Sequence, residues 1–334
     1  MNYASRLYLY APVALLLAVL AAAGAHWWFV ARDLEARLDA LETRPAMPGV
    51  TVRYGARKVG GFPFRIEASF RNFSIQIAGE RGPFLWRAEK FALHGLAYGR
   101  DQMIFEAAGR QRLEWRARDG RLKTLDFETG ATHASALLSR GALSRFDLDI
   151  VGFGSRAFTA ERLQAHMRRA ASGLDIAASA SGVRLSPDLR GAFGPDVKLA
   201  ALEAAVSAPR AFDGLLAGRT DWRSALEAWR NASGGLSLHP VEIDFDSLSM
   251  LGRGAVSLDE ARRPQGAVDF KIAGMSAWLA RRIPARPEGF AAALRDRAAK
   301  AGGDGAGRMG AIVGAKDGIV YVGDEAAGLA EPLY

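Results

Sequence analysis

An apolar segment runs without interruption from Leu7 to Ala31, near the beginning of the chain. The only side chain in the segment that can be charged near neutral pH belongs to His26. A helix of this length measures roughly 37 Å, enough to cross the ~30 Å hydrocarbon layer of a membrane with some tilt. Aromatic residues near both ends suit the two water–lipid boundaries. These aromatic residues are Tyr8, Tyr10, Trp27, Trp28 and Phe29. The segment predicts a transmembrane anchor within residues 1–31, and no second run of this length follows it.

The charges around this segment predict its orientation. Arg6 precedes it, whereas Arg32 and Arg37 follow it, so the count of basic residues alone does not decide the matter. A short basic segment before an apolar run is the usual export signal. We therefore expect the N-terminus in the cytoplasm and the rest of the chain outside it.

A cleaved signal peptide is the alternative to an anchor. Residues 21–23 (Ala-Ala-Ala) and 23–25 (Ala-Gly-Ala) both fit a small-residue cleavage site. Apolar character continues beyond them to Val30, which favours the anchor. Both alternatives place the body of the protein outside the cytoplasm.

Composition excludes several kinds of site. The 334 residues include no cysteine, so disulfides, thiolate metal sites and a cysteine nucleophile are impossible. The 44 basic and 36 acidic residues give a net charge of +8, but the basic residues are scattered among acidic ones. This pattern is typical of a solvated surface with mild attraction to an anionic membrane. We expect no nucleic-acid partner.

The segment after the anchor, residues 32–49, is predicted to be a helical stalk and linker. Leu34, Leu38 and Leu41 recur at helical spacing between Arg32 and Glu42. Pro45 and Pro48-Gly49 then end the helix. A stalk here would lift the body off the membrane.

From about Thr51 the apolar residues alternate with polar ones, the period of β-strands with one buried face. The phase of this alternation slips after Asn72. The predicted strands contain Phe64–Phe70, Phe73–Ile77, Phe146–Ile150, Leu174–Ala180, Val241–Phe245, Val256–Leu258, Val268–Ile272 and Gly318–Val322. Repeated strand–turn–strand units favour a long meandering sheet over alternating βαβ units. The predicted fold class is α+β, mostly β: a transmembrane helix, then a long curved antiparallel sheet in one body, residues 50–334.

A few helices are predicted to cover this sheet. Thr220-Asp221 can cap a helix that runs to about Trp229. Ser276 can cap a helix over residues 278–283, and an Ala-rich helix follows over residues 287–301, before a flexible loop at 302–307. The apolar residues of 158–170 fit both the spacing of a strand and that of a helix. We favour a strand that forms one arm of a hairpin, because a turn follows.

Motifs that carry chemistry are scarce. The five histidines lie at no short metal-ligand spacing. Residues 152–157 match the dinucleotide fingerprint G-x-G-x-x-A, but the strand before them alternates with Asp147 and Asp149 and so is not buried on both faces. Asp244 and Asp246 share one strand face that we expect to be solvated. The sequence predicts no catalytic residue, cofactor or metal site, and thus a protein that is not an enzyme.

The most distinctive short motif is Gly60-Gly61-Phe62-Pro63-Phe64-Arg65. Two glycines allow a bend, Pro63 fixes φ, and two phenylalanines begin a strand. One interpretation is a tight entry to the sheet with a local aromatic core, and the other is contact with acyl chains. The candidate lipid-contacting residues on the apolar face are Phe62, Phe64, Ile66, Phe70, Ile243 and Phe245.

The chain resembles the uncharacterised bacterial domain-of-unknown-function family 2125. The resemblance rests on the anchor, on residues 59–65, on 252–266 with Gly252-Arg253-Gly254 and Arg263-Pro264-Gln265-Gly266, and on the ending 317–333. The pattern G-x-L-D…P-x-G is also similar to AsmA-like envelope proteins. The resemblance implies an envelope location and a long curved sheet, and it assigns no catalytic residues. With the anchor, we expect a single-pass protein of the bacterial inner membrane with the bulk of the chain in the periplasm.

Two functions follow as expectations. The first is a membrane-anchored envelope protein that binds or guides lipid along the apolar face of its sheet, with membrane lipid as its partner. The alternative is a non-enzymatic structural or assembly protein of the bacterial envelope, whose partners are other envelope proteins. An enzyme is the third possibility, and the motifs above give it little support.

Overall fold

The computed structural model describes residues 3–79, 82–117, 119–170, 173–189, 194–245, 248–274 and 308–334. Helices occupy Tyr3–Thr43 (α1), Asp213–Leu216 (α2) and Trp222–Asn231 (α3). Short 3-10 turns occupy Pro187–Leu189 and Pro209–Phe212. The strands are β1 Val50–Arg53, β2 Arg57–Gly60, β3 Arg65–Ile77, β4 Phe84–Leu96, β5 Gly99–Arg116, β6 Leu122–Glu128, β7 Ala131–Ser139, β8 Ala142–Ser155, β9 Phe158–Ala170, β10 Gly173–Leu185, β11 Asp196–Val206, β12 Gly235–Phe245, β13 Ser249–Leu258, β14 Pro264–Ala273, β15 Arg308–Lys316, β16 Ile319–Val322 and β17 Glu325–Leu329.

Helix α1 is continuous through the predicted anchor and the predicted stalk. It is long and apolar enough to cross a membrane, with a mean hydropathy of 2.0 over its most apolar 18 residues. The side chains from Tyr10 to Leu20 are largely exposed, as a lipid-facing segment would be. The later half, predicted to be a stalk, packs against the sheet through Leu34, Leu38 and Leu41. The leucines at helical spacing bury an apolar stripe instead of facing water.

Contacts of three kinds hold the second half of α1 on the sheet. Leu38 is buried against Phe70 and neighbouring core residues, with Leu34 and Leu41 beside it. The Tyr54 hydroxyl donates a hydrogen bond of 2.8 Å to the Leu38 carbonyl. The Arg57 guanidinium pairs with the Asp39 carboxylate, and that hydrogen bond raises the pKa of Arg57. The helix is therefore part of the body's core.

The sheet is an antiparallel meander of 17 strands, which confirms the predicted fold class. From β7 to β17 each strand pairs with the next one in the chain, and β3, β4 and β5 do the same. Strands β1 and β2 lie end to end along β3, while β6 and β7 lie end to end along β5. The ambiguous segment 158–170 is strand β9, the favoured hairpin arm.

A line of irregular positions bends these long strands. Asn72 has a φ of 51° at the predicted phase slip, so Phe70 and Phe73 are both buried on one face although they are three residues apart. Gly109, with a φ of 77°, interrupts β5 beside the same stretch of the sheet, and Gly152, with a φ of 65°, does so in β8. Such interruptions increase local twist and curl a sheet. The curl lets strands β3 and β8 face one another.

The last strands enclose a separate core. Leu248, Ile272 and Val322 are almost completely buried there, and Ile243 and Phe245 pack against their cluster. One face of β12 to β16 is therefore filled by its own side chains.

Helix α3 confirms the prediction for residues 220–229. Its N-cap is Asp221, whose carboxylate accepts hydrogen bonds of 2.9 Å from the backbone N–H groups of Arg223 and Ser224. Trp229 is buried, and the Trp222 indole donates to the carbonyl of Ala78, just past the end of β3. The helix thus covers the end of the sheet that is remote from the apolar half of α1. The predicted helices at 278–283 and 287–301 and the loop at 302–307 lie outside the described residues.

The Asp221 cap should make helix α3 sensitive to acid. The backbone N–H of Ser224, then its hydroxyl, lower the pKa of Asp221. A lowered folded-state pKa contributes stability that is present above the unfolded value of about 3.9 and is lost as the pH falls through the folded value. Asp221→Ala is expected to lower the free energy of unfolding by about 1 kcal/mol at pH 7. Chemical unfolding in detergent measures the difference in free energy of unfolding between this variant and the native protein. We expect that difference to be smaller at pH 3 than at pH 7, and a difference unchanged by pH would contradict the capping role.

Candidate functional site

An apolar cavity of 550 Å³ lies between helix α1 and the concave face of strands β3 to β8. Ligand sites in proteins commonly measure roughly 300–1,000 Å³. Its walls are almost entirely aromatic and aliphatic. The principal lining residues are Leu38, Leu41, Val52, Phe70, Phe73, Ile75, Trp86, Phe91, Leu93, Phe105, Leu113, Phe146, Leu148 and Ile150. Residues of α1 and of strands as distant as β3 and β8 share this cavity because the sheet curls around it.

The floor of the cavity is a group of aromatic rings. Phe73 and Phe91 stack with their ring centres 4.0 Å apart, and Phe105 stacks on Phe91 at 6.1 Å. Trp86 meets both Phe73 and Phe91 edge to face. Alternation within each strand sends these rings to the concave face, and a register shift between Ala88 and Lys90 lets Trp86 and Phe91 share that face although they are five residues apart in β4. The result is a rigid apolar surface.

The polar groups at the cavity already have partners. Buried Gln111 accepts a hydrogen bond of 3.2 Å from the Trp86 indole and donates one of 3.1 Å to the hydroxyl of Thr129. The Thr132 hydroxyl also donates to Thr129, at 2.9 Å. The Tyr54 hydroxyl donates its hydrogen bond to the Leu38 carbonyl of helix α1. A guest in this space would meet apolar surface, with few polar groups to bind it.

A larger groove, of 1,010 Å³, is lined by residues of β3 to β6, β8 and β9, many of them charged. The Arg112 guanidinium donates two hydrogen bonds, of 2.6 and 3.1 Å, to the Asp126 carboxylate. These hydrogen bonds are the main reason that the pKa of Asp126 is lowered. Arg87 lies 3.7 Å from Glu114. Several charged side chains of this groove are thus paired with one another, and the groove is open to solvent. It is therefore a poorer candidate for a ligand site than the apolar cavity.

The structure separates the six candidate lipid-contacting residues. Phe70 lines the cavity. Ile66 is half-buried further along β3, and Phe62 and Phe64 are exposed before that strand begins. The pair Ile243 and Phe245 packs against the distant core of the last strands.

Sequence reasoning missed most of the cavity's lining. Leu38 and Leu41 had been assigned to a stalk, although their helical stripe was the signal that α1 packs on something. Trp86, Phe91 and Phe105 lie in β4 and β5, where alternation alone does not say which strands curl together.

The histidines are closer to carboxylates than their spacing suggested. His94 and His133 come within 3.6 and 3.7 Å of Glu106, and the His166 ring lies 2.8 Å from Asp147. Across the ranges that the structure describes, no group of three or more histidine, aspartate or glutamate side chains is arranged to hold a metal ion. The histidine–carboxylate pairs link side chains of neighbouring strands instead.

The other motifs also have structural explanations. The glycines of the G-x-G-x-x-A match lie within β8 and are followed by β9, whereas a dinucleotide site needs a helix there. Asp244 is half-buried in β12, not fully solvated as expected, and Asp246 lies outside the described residues.

The chain belongs to a bacterial family whose model, described as an uncharacterized protein conserved in bacteria (DUF2125), matches residues 27–327. No curated protein and no solved structure matches the chain. The comparisons confirm the resemblance to this family and do not confirm the resemblance to AsmA-like proteins.

Proposed function

We propose that this DUF2125 family member is a single-pass membrane protein that binds the acyl part of a lipid in the cavity beneath helix α1, without catalysing a reaction on it. One observation carries the proposal: Leu38 and Leu41, in the wall of the cavity, belong to the same continuous helix that is long and apolar enough to cross a membrane. An apolar space of 550 Å³, about the volume of one acyl chain, beside a membrane helix is well placed to take its guest from the bilayer.

The energetics favour an acyl chain over a polar ligand. Each methylene moved from water to an apolar site gains about 0.8 kcal/mol, so ten of them gain roughly 8 kcal/mol before the costs of ordering the chain. A charged or strongly polar ligand would lose its hydration without finding free partners, because Gln111 and Thr129 are already hydrogen-bonded to neighbouring side chains.

The location that goes with this proposal is the bacterial inner membrane, with residues 50–334 in the periplasm. The support is the basic residue before the apolar run and the run's continuation past the possible cleavage positions. A reporter fused after Tyr334 that is active only in the periplasm would test this orientation.

Occupying the cavity with protein should expel the lipid. Ala134, in β7, lines the cavity and is half-buried, so Ala134→Phe places a ring in the space. Ala108, in β5, is exposed, and Ala108→Phe is the matched control. Full-length protein purified in mild detergent would be analysed for bound lipid by native mass spectrometry. We expect lipid on the native protein and on Ala108→Phe, and at least about a fivefold loss on Ala134→Phe.

Two outcomes would reject lipid binding at this site. One is native protein that carries no lipid above the level of an unrelated single-pass protein. The other is equal lipid on the two phenylalanine variants, both folded by circular dichroism.

A structural or assembly role is the second candidate, and an exposed sheet edge favours it. Within the described ranges, β17 pairs with β16 alone, and Leu329 on it is among the most exposed apolar side chains. Such an edge can accept a strand from another protein. Co-purification of a stable envelope partner, lost on Ala327→Pro in β17 and without bound lipid, would favour this role.

A further inference from the structure

Two loops of the body contact helix α1 where its free apolar part ends. The β2–β3 loop reaches it through Phe62, whose ring meets Trp27 edge to face at 5.4 Å and lies 3.7 Å from the place of a Gly24 side chain. The Trp27 indole donates a hydrogen bond of 2.7 Å to the Arg65 carbonyl. The β4–β5 loop reaches the helix through the Ala97 carbonyl, 3.0 Å from the His26 ring.

The same two loops expose large apolar side chains. Phe62 and Phe64 are each 63% exposed, and Tyr98 is 70% exposed. Leu96 is exposed beside them, and the Ala97 amide donates to the Phe64 carbonyl, which joins the two loops. We call Phe62, Phe64, Leu96 and Tyr98 the apolar rim. Neighbouring apolar residues left in water at one end of a sheet indicate a surface that something else covers.

The position of the rim along the helix identifies what covers it. From Leu7, where the apolar segment begins, to Gly24 the helix is roughly 27 Å long, close to the ~30 Å thickness of a bilayer's hydrocarbon core. The rim therefore begins at the depth where the helix leaves the hydrocarbon. Aromatic residues are enriched at that depth because one end of the ring can be apolar and the other wet.

We propose that the apolar rim inserts into the head-group region of the membrane that α1 crosses, so that the body lies directly on the bilayer surface. This inference rests on the anchoring half of the proposed function and not on lipid binding in the cavity. The exposed Arg65, next to Phe64, and Arg32, whose guanidinium lies 4.5 Å from the centre of the Trp28 ring, place positive charge beside lipid phosphates.

The absence of cysteine makes a direct depth measurement possible. Single cysteines would be introduced at Phe64 and Tyr98, leaving the packed Phe62 intact, and labelled with an environment-sensitive fluorophore. The full chain would be reconstituted into two sets of phosphatidylglycerol–phosphatidylethanolamine vesicles. One set contains lipids with a nitroxide near the head group, and the other contains lipids with a nitroxide deep in the acyl region. Leu122→Cys, 60% exposed in β6 opposite the far end of β5, and Leu329→Cys are the matched controls. Leu17→Cys, in the apolar half of α1, reports the anchor.

We expect the labels at Phe64 and Tyr98 to be quenched at least about fivefold more than those at Leu122 and Leu329, with blue-shifted emission. If the label at Leu17 is quenched by nitroxides deep in the acyl region while those at Phe64 and Tyr98 behave like Leu122, the anchor stands and the inserted rim is overturned. If the label at Leu17 stays in water, the anchor itself fails, and the rim fails with it.

Discussion

Replacing Ile272 by alanine is expected to lower the free energy of unfolding by about 2–5 kcal/mol, because the change leaves a cavity in a filled core. Ile272 is 1% exposed, and it packs with Leu248 and Val322 among the last strands. The substitution removes three carbon atoms that neighbouring strands cannot move to replace. Denaturant unfolding of the full chain in detergent, followed by circular dichroism, measures the effect.

Ile312→Ala provides the control for this core. Ile312 lies in β15, next to the strand of Ile272, but it is 51% exposed, so the same deletion is expected to change stability by no more than about 0.5 kcal/mol. The pair also separates a filled core from a lipid groove. A groove at Ile243 and Phe245 would make Ile272→Ala nearly harmless to stability and lower the amount of bound lipid. We expect the opposite: lost stability and unchanged lipid.

Trp229→Ala is expected to cost about 3–5 kcal/mol, the range for deleting a buried tryptophan. Its ring is buried against the Leu174 and Val206 cluster, and its indole donates a hydrogen bond of 2.8 Å to the Ser207 carbonyl. Removing the ring leaves a large void and an acceptor without its donor, so helix α3 should separate from the sheet. Limited proteolysis between Ser207 and Gly235 should accelerate in parallel with the loss of stability.

Trp229→Phe divides these two contributions. The phenyl ring keeps most of the packing but cannot donate to Ser207, so a loss of about 1–3 kcal/mol is expected. Equal losses for the alanine and phenylalanine variants would mean that the hydrogen bond dominates. A loss below 1 kcal/mol for the alanine variant would contradict the view that this helix is tied to the sheet by Trp229.

Much of the fold could be predicted because its signals are local. Alternation over residues 241–245 and 268–272 identified strands β12 and β14, and Asp221 before an amphipathic stretch identified helix α3. Even the bend at Asn72 was visible as a slip in the alternation. Each of these signals depends on residues only a few positions apart in the chain, and at that range the spacing in the sequence fixes the distance in space.

The candidate site could not be predicted in the same way. Period-two alternation identified Phe70 and Ile243 as inward-facing, yet one lines the cavity and the other packs against a distant core. The pattern is the same for both. What differs is which strands the sheet curls together, and that depends on irregular positions such as Gly109 and on the packing of α1.

Local patterns of residues specify a helix able to cross a membrane, the alternating strands of an antiparallel meander and a capped helix over one end of it. The packing of distant elements shows that α1 continues into the body and that Leu38 and Leu41 line a cavity. It also shows that the loops carrying Phe64 and Tyr98 contact α1 between Gly24 and Trp27. The reason is physical. Periodicity tells which side of an element avoids water, whereas the partner that covers that side is chosen by contacts between residues far apart in the chain.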